Sequence, residues 1–149
     1  MTYNLSGTVQ KRPPFEVLEH TADVGVIAYG RTPEEMMVNA ALAMFSLMVG
    51  LDQVEEKEER EIRVQGHDWE SLLVHWLVEL LYYVDAEGMV FRRFQVEIPT
   101  PYQLRALAYG ERMDKERHSF HMGIKGVTRH MLAVGQEDGT WWARVIFDI

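Results

Sequence analysis

Carboxylates gather at two places where strands would begin or stop. The first is Glu19-His20-Thr21-Ala22-Asp23, which interrupts two apolar stretches. The second is the ending Arg144-Val145-Ile146-Phe147-Asp148-Ile149, where an apolar strand carries Asp148 one residue from a main-chain carboxylate. Two adjacent anions repel, and their ionised forms are best tolerated beside a cation. Simpler readings exist for both: turn chemistry needs His, Thr and Asp for local hydrogen bonds, and chain ends fray. Yet a terminal strand this apolar should be tied into a sheet, which would fix its carboxylates. His75 and Glu79 lie one helical turn apart, a spacing that a solvated helix face explains better than a ligand pair. His67, His118 and His121 offer no usable spacing. Nucleotide-binding glycine loops, the H-E-x-x-H zinc motif and the G-x-S-x-G elbow are absent. Gly123-Ile124-Lys125-Gly126 has too few glycines for a phosphate cradle.

These residues need elements to hold them. Phe15–Glu19 and Val24–Gly30 read as short strands rich in β-branched and aromatic residues. Thr32, Pro33 and Glu35 then form a helix start: an N-cap, a proline at the first turn and a T-x-x-E capping box. Met37, Ala40, Ala41, Met44, Phe45 and Met48 follow at helical spacing, and Gly50 suits the stop. That methionine stripe reads as core rather than as a ligand groove. Asp52–Glu61 is expected to be a solvated connector, with alternation over Arg60–Gln65. Asp68 caps a second helix, Trp69–Glu87, whose broad apolar face requires a sheet beneath it, and Gly88 ends it. Strands are expected around Phe94–Ile98, over Leu104–Gly110, over Phe120–Val134 with irregularities at Gly123 and Gly126, and over Trp141–Ile149. Glu111–Ser119 is read as a polar loop. The order predicts a single α+β domain, with two helices packed on a mainly antiparallel sheet over residues 15–149. Residues 1–14 are read as a flexible extension, without the apolar run of a signal peptide.

Bulk properties narrow the chemistry. The chain has 149 residues, 47% of them hydrophobic, with no cysteine and a net charge of -8. The missing cysteines exclude a thiol nucleophile and a thiolate metal site, and fit a cytoplasmic protein. No apolar stretch is long enough for a membrane span. Residues 1–87 carry 6 Lys and Arg against 16 Asp and Glu, whereas residues 88–149 carry 9 against 7. So acidic a protein is poorly suited to gripping RNA by its phosphates.

Four blocks, in order, resemble the archease family. They are His20–Gly25 with Ala28-Tyr29-Gly30 and Asn39–Met48; Leu73–Tyr82; Lys125–His130; and Trp142–Ile149. The resemblance spans roughly residues 15–149. It implies strand–helix–strand–strand modules, one inserted in another, and a non-enzymatic partner of RtcB-type RNA ligases in tRNA splicing. Such a partner promotes ligase guanylylation and repeated turnover, meeting tRNA only through the ligase. The resemblance also implies a Ca²⁺-type site at Asp23, Asp148 and the main-chain carboxylate of Ile149, and a functional Lys125. Hard oxygen ligands select Ca²⁺, Mg²⁺ or Mn²⁺ over softer metals. His20 and His130 could orient this site or serve as structural histidines. The alternatives are a chaperone-like modulator of a tRNA methyltransferase and a metal-dependent phosphoesterase.

Overall fold

The computed structural model describes residues 12–19 and 23–149. His20, Thr21, Ala22 and residues 1–11 lie outside them. Nine regular elements follow in the order β1 (Phe15–Glu19), β2 (Asp23–Gly30), α1 (Pro33–Met48), β3 (Glu58–Gln65), α2 (Trp69–Glu87), β4 (Met89–Thr100), β5 (Gln103–Arg112), β6 (Gly126–Glu137) and β7 (Thr140–Asp148), with a 3-10 turn at Leu51–Gln53.

Local chemistry sets the helix boundaries. Thr32 Oγ1 accepts from the Glu35 N–H at 3.1 Å, as an N-cap should. The Glu35 carboxylate reaches back to the Arg31 N–H at 3.0 Å, one residue beyond the Thr32 N–H that the expected capping box would use. The stop of α1 also differs from expectation: Val49 turns extended and bridges Phe120, and Gly50 is not left-handed. Asp68 and Ser71 cap α2 reciprocally, and Gly88 ends it in the left-handed conformation at φ 66°.

Pairing divides the strands into two antiparallel sheets, β1-β2-β7-β6 and β3-β5-β4. The outer module is β2-α1-β6-β7, and β3-α2-β4-β5 is inserted between its helix and its last two strands. In each module the first strand pairs with the last, and the last with the one before it. The nested strand–helix–strand–strand order expected from the sequence is therefore present, with each module owning its own sheet.

Both helices bury their apolar faces in one core. Met36, Met37, Met44, Phe45, Trp76, Leu77 and Phe91 are fully buried, so most of the methionine stripe is core. Trp76 Nε1 donates to the Met37 carbonyl at 2.9 Å, joining the helices while satisfying a buried indole N–H. Phe45, Phe91 and Phe94 pack with ring centroids 5.7 to 6.1 Å apart.

Three sequence readings need correction. The acidic connector is not wholly solvated, because Val54 is fully buried and β3 begins at Glu58. β4 starts directly after Gly88 rather than near Phe94, since Met89, Val90 and Phe91 all enter the core. β6 begins only at Gly126, and its irregularity falls between Thr128 and Ala133. There Arg129–Leu132 face the single residue between Arg144 and Ile146, and Met131 takes φ 56°.

Candidate functional site

β7 lies between β2 and β6, and its end brings the two carboxylate segments together. Asp23 opens β2 directly opposite Asp148, and Gly126 opens β6 on the other side of Asp148. Lys125, just before β6, donates its N–H to the Asp148 carbonyl at 2.7 Å. Residues directly opposed in an antiparallel pair project from the same face, with Cβ atoms about 4.5–5.5 Å apart. Val24, Val145 and Phe147 fill the core, so Asp23 and Asp148 belong to the other face, with Gly25 and Ile146. A Cβ on Gly25 would meet Ile146 Cδ1 at 2.6 Å, so Ile146 occupies the space that a side chain there would need.

The electrostatics of this corner are unbalanced. Asp23 Oδ1 is buried and has no hydrogen-bond partner among the described residues. Leaving a buried acceptor unsatisfied costs about 1–3 kcal/mol, and placing a like charge opposite adds to that. Asp148 is exposed, while the Ile149 side chain is half-buried against the core, tying down the end of β7. Lys125 is exposed and makes no ion pair among the described residues. A hard cation would satisfy Asp23 Oδ1 and relieve the repulsion together, so the donor set fits a divalent metal of the Ca²⁺ type. Among the described residues no three His, Cys, Asp or Glu side chains form a metal-holding group. Asp23 and Asp148 supply two such side chains.

Other candidates fall elsewhere. His130 lies in the β6 bulge, exposed, its own N–H on Thr128 Oγ1 at 3.3 Å, facing the Arg144–Ile146 stretch rather than Asp148. His20 is outside the described residues. His75 Nδ1 donates to the Gln65 carbonyl at 2.6 Å, which occupies the ring as a local link to β3.

One charged cluster went unnoticed in the sequence. Glu111, at the end of β5, is buried. Its carboxylate accepts from the Glu55 N–H at 2.7 Å, from His118 Nε2 at 3.0 Å and from the Arg117 guanidinium, with Lys57 Nζ 3.6 Å away. The Asp114 N–H donates to His118 Nδ1 at 2.9 Å, so Nε2 carries the proton that Glu111 accepts. Burial pushes the Glu111 carboxyl up, but the Glu55 N–H, Arg117 and His118 outweigh it and hold it down at about 2. The only sequence signal is the spacing Glu111, Asp114, Arg117, His118, which polar loops often share. With its acceptor positions filled, Glu111 has no room for a cation.

Comparison with known proteins agrees along nearly the whole chain. The model of the archease protein family matches residues 15–149. The archease of Pyrococcus abyssi is 43% identical over 139 residues, covering 91% of this chain and 98% of that protein. A Methanobacterium thermoautotrophicum protein of known solution structure superposes with a TM-score of 0.82 at 41% identity, covering 91% and 99% of the two chains. A Thermotoga maritima crystal structure, described as an archease and possible chaperone, gives a TM-score of 0.63 at 18% identity, covering 95% and 99%. At that identity the likeness concerns the fold alone.

Proposed function

The chain belongs to the archease family, and from that premise we propose that it activates an RtcB-type RNA ligase in tRNA splicing. It would do so by promoting ligase guanylylation and multiple turnover, with a carboxylate-bound divalent metal. The observation that carries the metal half is the unpartnered Asp23 Oδ1 opposite Asp148. Asp23, Asp148 and the main-chain carboxylate of Ile149 would hold the ion. When bound, it would supply positive charge and coordination positions open to oxygen ligands, since three groups do not fill the 6–8 that Ca²⁺ takes.

The chain's own residues do the rest. Lys125, exposed beside Asp148, offers a mobile ammonium to a phosphate or a ligase carboxylate. The net charge of -8 leaves the holding of tRNA to the ligase. No described helix is long and apolar enough to cross a membrane, and we assign the protein to the cytoplasm with its partner.

The test is ligase turnover with GTP and RNA, with this protein at a small fraction of the ligase concentration. We expect many ligation events per ligase only when it is present, and faster guanylylation even without RNA. Stimulation confined to reactions containing RNA, together with tight RNA binding by this protein alone, would overturn the reading. A chaperone-like modulator of a tRNA methyltransferase is the second reading, which the family resemblance suggests. It predicts client rescue that survives removal of divalent metal. Phosphoester hydrolysis by the isolated protein would instead make it an enzyme.

A further inference from the structure

An apolar groove of about 320 Å³ opens beside the carboxylate corner. Met48, Met113, Phe120, Met122 and Ile124 line it, and Asp85 stands among them at the end of α2. Its wall runs directly from Ile124 into Lys125, whose N–H is bonded to Asp148. Phe120 is 44% exposed and Met113 40%. Two more large apolar side chains are left out on α2, Val78 at 46% and Tyr82 at 59%. Val78, Tyr82 and Asp85 follow at spacings of four and three, so they share one stripe of the helix that leads to the groove. Four of the six large hydrophobic side chains exposed among the described residues thus lie along one path. Contiguous apolar surface of this kind marks a protein contact, and methionine walls adapt to the side chains they receive.

The charge around this path selects the occupant. α2 carries Glu70, Glu79, Asp85 and Glu87 and no lysine or arginine. Among the described residues, Glu79 and Asp85 have no ion-pair partner. A second copy of this chain would bring the same acids face to face, so self-association is disfavoured. We infer that this groove and the Val78–Tyr82 stripe are the docking surface for a segment of the ligase that carries apolar side chains flanked by lysine or arginine. The inference rests on the proposed function and adds where the partner sits: against α2 and the 120–124 wall, with its basic groups over Asp85 and its neighbouring residues within reach of Lys125.

The experiment measures binding of the full-length ligase to the full chain, its affinity by calorimetry and its association rate by stopped-flow fluorescence, for the parent and for Phe120→Ser, Tyr82→Ser and Asp85→Lys, with Glu97→Gln, exposed near the other end of β4, as control. Phe120→Ser and Tyr82→Ser should each weaken binding about tenfold, as expected where exposed aromatic anchors carry the contact. Asp85→Lys should slow association and reduce its salt dependence. Ca²⁺ titration and melting temperature should be unchanged for Tyr82→Ser and Asp85→Lys, which sit on the helix surface, so a folding defect in Phe120→Ser cannot carry the result alone. If the parent binds the ligase and all three groove variants bind it equally well, the docking surface is wrong while the proposed function stands. If the parent does not bind the ligase, both fall. Parent self-association through this groove, abolished by Tyr82→Ser, would overturn the inference in favour of a second copy.

Discussion

The inner and outer modules are built alike, and the same corner of each holds a different electrostatic arrangement. In the inner module Glu58 opens β3 opposite Gly110, and Arg112, at the end of β5, stands opposite the first residue of β4. In the outer module Asp23 opens β2, and Asp148, at the end of β7, stands opposite the first residue of β6. Lys57, just before β3, donates its N–H to Gly110, and Lys125, just before β6, donates its N–H to Asp148. Counted from the first residue of β4 and of β6, Arg112 is the register counterpart of Asp148, whereas counted from the first residue of β3 and of β2 that place falls to Gly110. The inner corner is closed by opposite charges: Glu58 lies 3.1 Å from Arg60 and 3.8 Å from Arg112, and Glu111 has its own full set of donors. The outer corner places acid against acid, and among the described residues it leaves a buried oxygen without a donor. One architecture can thus be finished for stability or left open for a ligand, and the difference lies in a few side chains at a strand end.

The largest effect should come from breaking the closed corner. Glu111→Ala would leave the Glu55 N–H, His118 Nε2 and Arg117 without their acceptor, His118 at a buried position. Removing one partner of such a network costs about 3 kcal/mol, which urea denaturation would register. Stability of the parent should also depend on Glu111 in acid. Its folded-state carboxyl is held at about 2 against an ordinary 4.5, so its contribution is present above about pH 4.5 and is lost as pH falls toward 2. Glu111→Gln should flatten that part of the stability–pH profile. A profile identical to that of the parent would mean that the inner corner is no tighter than the outer one.

Next in size is the effect on the open corner. Asp148→Asn and Asp23→Asn each remove one anionic ligand while keeping side-chain size, and extending the chain past Ile149 converts a carboxylate to an amide carbonyl. Each change should weaken Ca²⁺ binding about tenfold or more and lower ligase activation in step, while the metal-free fold keeps its stability. Calorimetric titration beside ligase turnover checks both. Parent-like metal binding in all three would remove the distinction between the corners. Lys125→Ala, by contrast, should impair activation with a stability change within about 0.5 kcal/mol, because the side chain is exposed and makes no ion pair among the described residues. A large fall in melting temperature would instead make Lys125 part of the scaffold.

How far the sequence announces this contrast depends on the range of the interactions involved. Thr32, Asp68 and Gly88 act within one helical turn, so both helices could be placed from their own residues. The alternation of Trp141, Ala143, Val145 and Phe147 likewise set the core face of β7. The division into two sheets was not legible, because β2–β7 and β3–β5 pairing joins residues far apart in the chain. The bulge at Arg129–Leu132 escaped for a related reason: Arg144 Nε holds the Met131 carbonyl at 2.8 Å, a contact made only after β6 and β7 meet. Glu111 looked like one more loop acid because its donors come from residues 55, 117 and 118. For the candidate site, composition marked two acidic strand ends, and only the register set Asp23 against Asp148.

The smallest expected effect is also the most direct test of the comparison: giving the outer corner the inner corner's chemistry. Asp148→Arg would place a guanidinium where the register of the inner module has Arg112, opposite Asp23 as Arg112 is near Glu58. In the metal-free protein this replaces repulsion by attraction and offers donors to Asp23 Oδ1. Asp148 itself is exposed, so solvent screens the new pair, and the gain should be about 0.5 kcal/mol. The arginine cannot ligate a cation, so added Ca²⁺ should not raise the melting temperature of this variant, whereas for the parent we expect a rise through preferential binding to the folded state. Thermal unfolding with and without Ca²⁺ reads both quantities from one set of samples. A closed outer corner should be slightly stabler, indifferent to Ca²⁺ and inactive toward the ligase. A variant less stable than the metal-free parent would show that Asp23 and Asp148 are not in conflict, and that the open corner owes its form to something other than a missing cation.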